Sequence, residues 1–392
     1  MDFCTMLAYD SMLKEVKNPK QNNVIVSPLS ITVVLNMVAA GLKGSTQEYV
    51  LDLLGSKNVN QIYSKSSEMM AVAADVGSTN NGDEDRPVLA MVNGAWSDQF
   101  FPLKVFYEER ILKGIFDCEA KTVDFATQAE KVRVEVNAWA EAVSRGLIKD
   151  FFPPDSLSPD TALLLANGLY FKGIWDPNYR FMVERTERRD FYLLNGRRIS
   201  VPFMTSSNTY LGGSFDGFKV LNIPYENGKC GRYFSMYFFL PDERDGLQNL
   251  LEKKLFISNP KKYYFNLSEV KLDKFWIPKF KFSYAFEVSE AMEDMGTPLS
   301  ILKNQADFSE MIHIPVGARL RGVEILQKAY IEVDEKGTEA AAITIFAGFG
   351  SSGHKPKTLS FVADHPFVFM LREARSGLVL FTGIVLDPSQ SN

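Results

Sequence analysis

Residues Lys328–Pro356 read KAYIEVDEKGTEAAAITIFAGFGSSGHKP, and the fold turns on this stretch. Ala329, Ile331 and Val333 alternate with Tyr330, Glu332 and Asp334, the period-2 pattern of a half-buried strand. After Gly337 the chain carries the small-residue run Thr338-Glu339-Ala340-Ala341-Ala342 and then Ile343-Thr344-Ile345-Phe346, where a loop would carry Pro, Asn and Asp. No proline lies between Val316 and Pro356, so every residue keeps the backbone N–H that a sheet ladder requires. The loop can therefore also serve as a strand.

Working outward, the 392-residue chain is 46% hydrophobic and 23% charged, as expected of a soluble chain with a large core. A net charge of −5 and a pI of about 5.5 provide no global positive field, which argues against nucleic acid or an anionic membrane as partner. The N-terminus lacks a basic region followed by an apolar run, and Asp10, Lys14 and Glu15 interrupt the one candidate. The expectation is a cytosolic or nucleocytoplasmic protein, with secretion left open. Cys4, Cys118 and Cys230 fit neither a disulfide framework nor a zinc site and read as reduced thiols. On that compartment reading the sequon Asn266-Leu267-Ser268 stays idle.

Gly77–Arg86 (GSTNNGDEDR) reads as a solvated loop, and no repeat or linker divides the chain. Phe3, Leu7, Leu13 and Val16 predict a first helix, ended by Gln21-Asn22-Asn23 before a short strand Val24–Val26. Ser27 as N-cap and Pro28 at the first helical position predict a second helix to Gly41; a third starts at Ser45-Thr46. Thr127 and Glu130 predict a capping box for a helix running to Gly146, with Val132, Val136, Trp139 and Val143 on one face. Strands are expected at Ala162–Phe171, Phe234–Leu240, Phe280–Tyr284, Phe367–Arg372 and Leu378–Leu386. Helices early and strands late predict an α+β fold with a large mixed or antiparallel sheet.

Enzyme motifs fail on context. Gly348–Gly353 satisfies G-x-G-x-x-G but lacks the βαβ unit that would present a helix N-terminus to pyrophosphate. Gly350-Ser351-Ser352-Gly353 has the wrong spacing for a nucleophile elbow, and His313, His354 and His365 lie in no cysteine- or carboxylate-rich cluster. Asn167, inside the apolar Leu163–Phe171, must find partners if buried or cost a few kcal/mol, or else it marks a bulge beside Gly168. Trp175 reads as a core or edge aromatic.

Six segments together resemble the serpin family: Ser27–Ile31, Gly41–Thr46, Asn137-Ala138-Trp139 with Ser144 and Gly146, Asn167–Gly173 with Trp175, Glu335–Ala342, and Phe361–Phe367. They occur in the family's order over nearly the whole chain, and Asp364-His365-Pro366-Phe367 is similar to intracellular serpins of the plant type. The resemblance implies a single domain over residues 1–392 with three β-sheets, a large central sheet A, about nine helices and an exposed reactive-centre loop at about 337–358. It implies a monomer without cofactor or metal and without enzymatic activity of its own. Its partner would be a target serine or cysteine protease that attacks the loop as substrate. The cut loop then enters the large sheet as an extra strand and carries the acylated protease with it.

Further roles follow from the resemblance. Glu335, Gly337, Thr338, Glu339, Ala340, Ala341 and Ala342 form the hinge. Ser27, Ser30, Asn167 and Gln327 form the shutter where the sheet parts. Trp175 and Lys279 stand at the breach, where insertion begins and where Lys279 pairs with Glu335. The bond to be cut is Ser351-Ser352, or Gly350-Ser351 because the distance from Ser351 to Pro366 is about a residue short. The fifteen residues from Gly337 to Ser351 span about 50 Å at ~3.3 Å each, enough to cross a large sheet. About a dozen new ladder bonds at roughly 1 kcal/mol each, with apolar burial, would leave the uncut form metastable.

Two residues depart from the pattern. Gln327 stands where the family usually has histidine; it can hydrogen-bond but not titrate. Ile343 replaces a small residue, and its bulk favours the alternative of a non-inhibitory serpin with a substrate-like loop and a binding or chaperone-like role. Ser351 or Gly350 before the cut disfavours trypsin-like targets, whose pocket needs a cation, and suits a small-residue protease. Cleavage displaced to Phe346 or Phe349 would suit chymotrypsin-like or papain-like enzymes.

Overall fold

The computed structural model describes residues 3–77, 88–144, 146, 149–226, 231–253, 266–295, 308–318, 322–338 and 357–390. Helix α1 (Phe3–Lys17) precedes β1 (Val24–Val26) and α2 (Pro28–Gly41). Helix α2 starts as its sequence predicts: Ser27 is in an extended conformation and its side chain accepts a 3.0 Å hydrogen bond from the Ser30 N–H, with Pro28 at the first position. Its burial is nearly complete, so it forms the centre of the core and not an amphipathic cover. Helices α3 (Gly44–Leu53) and α4 (Val59–Gly77) follow, then β2 (Val88–Asp98).

After β2 a π-helical turn, Tyr107–Lys113, runs into the short α5 (Gly114–Phe116), and β3 (Cys118–Val123) leads to α6 (Phe125–Val143). The cap of α6 differs from expectation. Asp124 is the N-cap and accepts from the Thr127 N–H at 2.9 Å, while Glu130 pairs with Arg133 and not with a cap. Gln128 has non-helical dihedrals, so the first turn is kinked, and a carboxylate three residues before Thr127 outcompetes the hydroxyl as the acceptor at the positive helix end.

Six strands form one sheet in the order β11 (Phe280–Glu287), β12 (Val323–Val333), β4 (Leu163–Ile174), β2, β3, with the two-residue β13 (Gly337–Thr338) on β4. Within it β12 and β4 run parallel from Val323↔Leu163 to Ala329↔Leu169, and β2 and β3 also pair in parallel; the other pairs are antiparallel. Strand β4 extends three residues past the expected Phe171 and stays in register through Asn167 and Gly168, so no bulge forms there. Its faces divide the core. Leu163 and Leu165 pack with α1 and α2, Leu169 and Phe171 pack toward the second sheet, and Leu164 and Ala166 pack under α6 with Trp96, Trp139, Phe151 and Phe152.

The second network has ten strands. These are β1, β16 (Val379–Val385), β15 (Phe367–Glu373), β9 (Phe234–Pro241), β8 (Phe218–Pro224), β7 (Thr209–Phe215), β10 (Ser268–Pro278), β6 (Arg198–Met204) and β5 (Glu187–Tyr192), with β14 (Lys357–Val362) also on β10. Strand β10 pairs with β7 at its start and with β6 at its end, so the network divides there into two sheets, giving the three expected. Helices α7 (Leu247–Glu252) and α8 (Val288–Asp294), with 3-10 turns at Pro177–Tyr179 and Val183–Arg185, complete the described elements. The chain ends are clasped. Asn23 accepts from Leu386 N–H (2.7 Å) and Asp387 N–H (3.0 Å) and donates to Asp387 O (2.7 Å), beside the β1–β16 pairing.

Candidate functional site

The seam between β4 and β12 holds a polar cluster in an otherwise apolar core. Ser27, Ser30, Asn93, Asn167 and Gln327 are all buried there. Asn93 on β2 donates to Phe116 O at 2.7 Å, which leaves its carbonyl to accept from Asn167 Nδ2 at 2.6 Å. The same logic fixes Gln327: its Oε1 accepts from the Ser27 N–H at 3.2 Å, so its amide nitrogen points elsewhere. Register aligns the group, because Asn167 stands level with Asn93 on one side and with Gln327 on the other.

The cluster is incompletely satisfied. Asn167 Oδ1, Gln327 Nε2 and Ser30 Oγ are buried without a hydrogen-bond partner among the described residues. Each such group costs on the order of 1–3 kcal/mol. The shortfall is concentrated where the two parallel strands meet. One residue further, Lys328 sits level with Gly168 and its Nζ donates to Lys149 O (2.8 Å) and Asp150 O (2.7 Å) in the segment after α6. Burial lowers its pKa from the usual lysine value, and the nearby Asp150 charge only partly opposes this.

Above Ala329 and Leu169 the strands no longer pair, and the chain turns at Asp334–Lys336. Asp334 Oδ1 accepts from the N–H groups of Lys336 (2.9 Å) and Gly337 (3.2 Å), and burial raises its carboxyl above the usual range. Glu335 is buried between Lys279 Nζ (2.7 Å) and Thr186 Oγ1 (2.6 Å). Burial pushes its pKa up, but these two hydrogen bonds and the lysine charge outweigh it and hold the carboxyl below the usual range. Trp175 is fully buried, stacks on Tyr225 at 4.5 Å and donates from its indole to Asp334 O at 2.9 Å.

The turn delivers Gly337 and Thr338 onto β4 antiparallel, opposite Ile174 and Gly173, while Trp175 N–H donates to Lys336 O at 2.9 Å. Only glycine fits at 337. Its φ is +143°, and a Cβ would lie 2.7 Å from Ile174 Cα, 2.9 Å from Trp175 N and closer still to Gly173 O, all backbone. The chain leaving Thr338 therefore points along β4 toward Leu163.

The sequence-derived residues thus fall into two groups on one seam: Ser27, Ser30, Asn167 and Gln327 at its middle, and Trp175, Lys279, Glu335, Gly337 and Thr338 at its top. Glu339, Ala340, Ala341, Ala342, Ile343, Gly350, Ser351, Ser352, the Gly348–Gly353 motif, His354 and Cys230 lie outside the described residues. Sequence reasoning missed Asn93, which accepts from the Asn167 amide. Its signal was a second apolar-Asn-Gly run, Val92-Asn93-Gly94, matching Ala166-Asn167-Gly168. Cys4 and Cys118 are buried, and burial raises the Cys118 thiol well above its ordinary value. Among the described residues no group of His, Cys, Asp and Glu is arranged to hold a metal, and no helix is long and apolar enough to cross a membrane.

The seam is thus a parallel pair in a mixed sheet with a buried polar cluster at its middle and β13 started along β4 at its top. The sequence model described as "Serpin (serine protease inhibitor)" matches residues 3–388, and the chain belongs to the serpin family. It is 38% identical to Serpin-Z2A of Triticum aestivum over 95% of this chain and 92% of that protein. It is 37% identical to the "probable non-inhibitory serpin-Z5" of Arabidopsis thaliana, covering 94% and 80% respectively. The solved structure of Arabidopsis AtSerpin1 in its native stressed conformation is similar over the full length of both chains, at 38% identity and a TM-score of 0.85.

Proposed function

We propose that this serpin inhibits serine or cysteine proteases by presenting residues 337–358 as bait and inserting the cut loop between β4 and β12. The observation that carries the reading is the β13 register. Continued residue for residue from Gly337↔Ile174 and Thr338↔Gly173, it brings Thr344 level with Asn167 and Gln327. A threonine hydroxyl donates one hydrogen bond and accepts others. Between those two side chains it would accept from Gln327 Nε2 and donate to Asn167 Oδ1, the atoms left unpartnered along the seam.

The same register supports the roles read from the sequence. Ser27, Ser30, Asn167 and Gln327 form the shutter that parts, Trp175 and the Lys279–Glu335 pair hold the breach, and Glu335–Ala342 is the hinge, with Ser351-Ser352 or Gly350-Ser351 as the bond cut. Seven parallel pairs from Val323↔Leu163 to Ala329↔Leu169 would exchange for antiparallel pairing on both sides of the new strand. Ile343 would arrive between Gly168, which has no side chain, and Lys328, whose ammonium is held by Lys149 O and Asp150 O, so the bulk of Ile343 is opposed on the β12 side only.

The test is incubation with a panel of serine and cysteine proteases of small-residue and aromatic preference. The expected result is a complex that survives SDS, together with a rise in melting temperature of the cleaved protein. Cleavage in the loop with neither outcome leaves the second reading, a non-inhibitory serpin, which the similarity to serpin-Z5 supports.

A further inference from the structure

The chain has two adjacent arginine pairs, Arg188-Arg189 and Arg197-Arg198, and only the second leads to a hydroxyl two residues on, in Arg197-Arg198-Ile199-Ser200-Val201. Both of these arginines and Ser200 are exposed. They lie on the β5–β6 hairpin, which turns at Gly196 with a φ of +80°. Strand β10 joins β6 only at Phe203 and Met204, with one further bond from Lys279 N–H to Pro202 O, so from Arg198 to Val201 the strand is paired with β5 alone. A two-stranded ribbon is marginally stable by itself and opens locally. Val201 is buried, so the segment has to lift to be read. Once lifted it is an extended strand with two cations ahead of a hydroxyl, a charge pattern that suits a kinase with a carboxylate-lined substrate cleft.

The folded hairpin already holds a place for the product. Register puts Arg188, Asp190 and Tyr192 of β5 on the same face as Pro202, Ser200 and Arg198 of β6. Arg188 Nε donates to Ser200 Oγ at 3.4 Å and its Nη2 to Ser200 O, and among the described residues Arg188 has no carboxylate partner. Arg198, the diagonal neighbour on the other side, reaches Asp190 at 3.0 Å. Ser200 and Arg188 also line a groove of about 260 Å³ with Lys279, Lys281, Glu332 and Asp334. Lys281 pairs with Glu332 at 3.1 Å, and Lys279 with Glu335 at 2.7 Å.

We infer that Ser200 is a phosphorylation site, and that its phosphate is seated between Arg188 and Arg198 at the mouth of this groove, where it competes with Glu335 for Lys279. Ser200 Oγ attacks the γ-phosphorus of ATP bound to the kinase. The new Oγ–P bond replaces the bond to the β-phosphate oxygen, the hydroxyl proton passes to the catalytic base of the kinase, and ADP leaves. The phosphate brings a charge of about −1.5 to −2 and three acceptor oxygens. Asp190, Glu332 and Asp334 oppose it with like charge, but Asp190 and Glu332 are already paired with cations and Asp334 accepts from Lys336 N–H and Gly337 N–H. Drawing Lys279 away leaves Thr186 as the other side-chain donor to Glu335 and loosens the turn from which β13 starts. That this speeds loop entry rests on the insertion reading above; the site and its seat do not.

In the test, the uncut chain is incubated with ATP and a serine kinase selective for paired arginines, such as the catalytic subunit of cAMP-dependent protein kinase, and the phosphate is mapped by peptide mass spectrometry. One phosphate on Ser200 is expected, absent from Ser200→Ala and added on the order of tenfold more slowly to Arg197→Ala. No phosphate on Ser200, or an unaltered rate in Arg197→Ala, overturns the site. Phosphorus NMR then reads the second pKa of the phosphoserine, about 6 when unassisted. The arginines should lower it by about half a unit, and Arg188→Gln, which leaves the kinase motif intact, should restore it. An unassisted value in the unaltered chain overturns the seat. Complex formation with the proteases of the panel is expected to be roughly fivefold faster for the phosphorylated chain, about 1 kcal/mol of barrier. An unaltered rate overturns the link to loop entry alone. No SDS-stable complex with any protease overturns the insertion reading and this link with it, while the mapped phosphate and its pKa decide the site and its seat on their own.

Discussion

Replacing Thr344 by valine isolates the step on which insertion depends. Valine has nearly the shape of threonine and lacks the hydroxyl, so it removes one polar group without changing the bulk that must enter the seam. Asn167 Oδ1 and Gln327 Nε2 are unpartnered in the uncut chain, so their cost is already present there. Insertion of threonine would relieve it, and insertion of valine would not. The loss is two hydrogen bonds at about 1–1.5 kcal/mol each, roughly 2–3 kcal/mol, and confined to the cleaved state. An unfolding entropy of about 2.1 cal/mol/K per residue turns that into about 2–4 °C of melting temperature for a chain of this length. The assay is differential scanning calorimetry of wild type and variant, uncut and cut by thermolysin. Cut variant should melt lower than cut wild type by that margin, with the two uncut proteins alike. An unaltered cut form beside a wild type whose melting temperature rises on cutting would refute the register, and a lowered uncut form would show that Thr344 is already engaged.

Two further outcomes follow from the same contacts. Gly337→Ala should lower the stability of the uncut protein by about 2–3 kcal/mol in a urea titration, because the new Cβ meets only backbone of Gly173–Trp175 and expels β13; an unchanged midpoint would refute the close approach. Glu373, fully buried, accepts from Ser376 N–H and Oγ, Arg375 N–H and Tyr233 N–H; burial raises its pKa, and those hydrogen bonds outweigh it and hold the carboxyl below the usual range. A depressed carboxyl stabilises the fold above its unfolded value, near pH 4.5, and that contribution disappears as pH falls through the folded value. Glu373→Gln should therefore cost stability at pH 7 and narrow its gap to wild type in acid, and a gap that stayed constant with pH would contradict the assignment.

What could be read without coordinates followed from local chemistry. Ser27-Pro28 specifies a cap by two adjacent residues, and the alternation in Lys328–Asp334 specifies a strand because one face is apolar and the other charged. Thr127 misled because the better acceptor stood three residues earlier, and both fit the same turn. The strands β5, β6, β7 and β10 escaped notice because arginines, glycines and lysines on their solvent faces blur the period. Asn167 was legible as a buried amide needing partners, but the partner was not, since Asn93 meets it only through the antiparallel register of a strand 74 residues away. The run beyond Thr338 states a strand preference through its composition alone, because residues 339–356 lie outside the described residues.

The clasp of Asn23 on Leu386 and Asp387 sets an order in time. Asn23, at the head of β1, emerges from the ribosome some 364 residues before its partner Asp387. At about 5–20 residues per second, that is roughly 20–70 s in which Val24–Val26 and the buried helix behind them have no edge to join. The C-terminal strands thus act as a closing signal for the whole chain. A nascent protein truncated before Val379 would keep its first strand exposed and offer it to whatever holds unfinished chains in the cell.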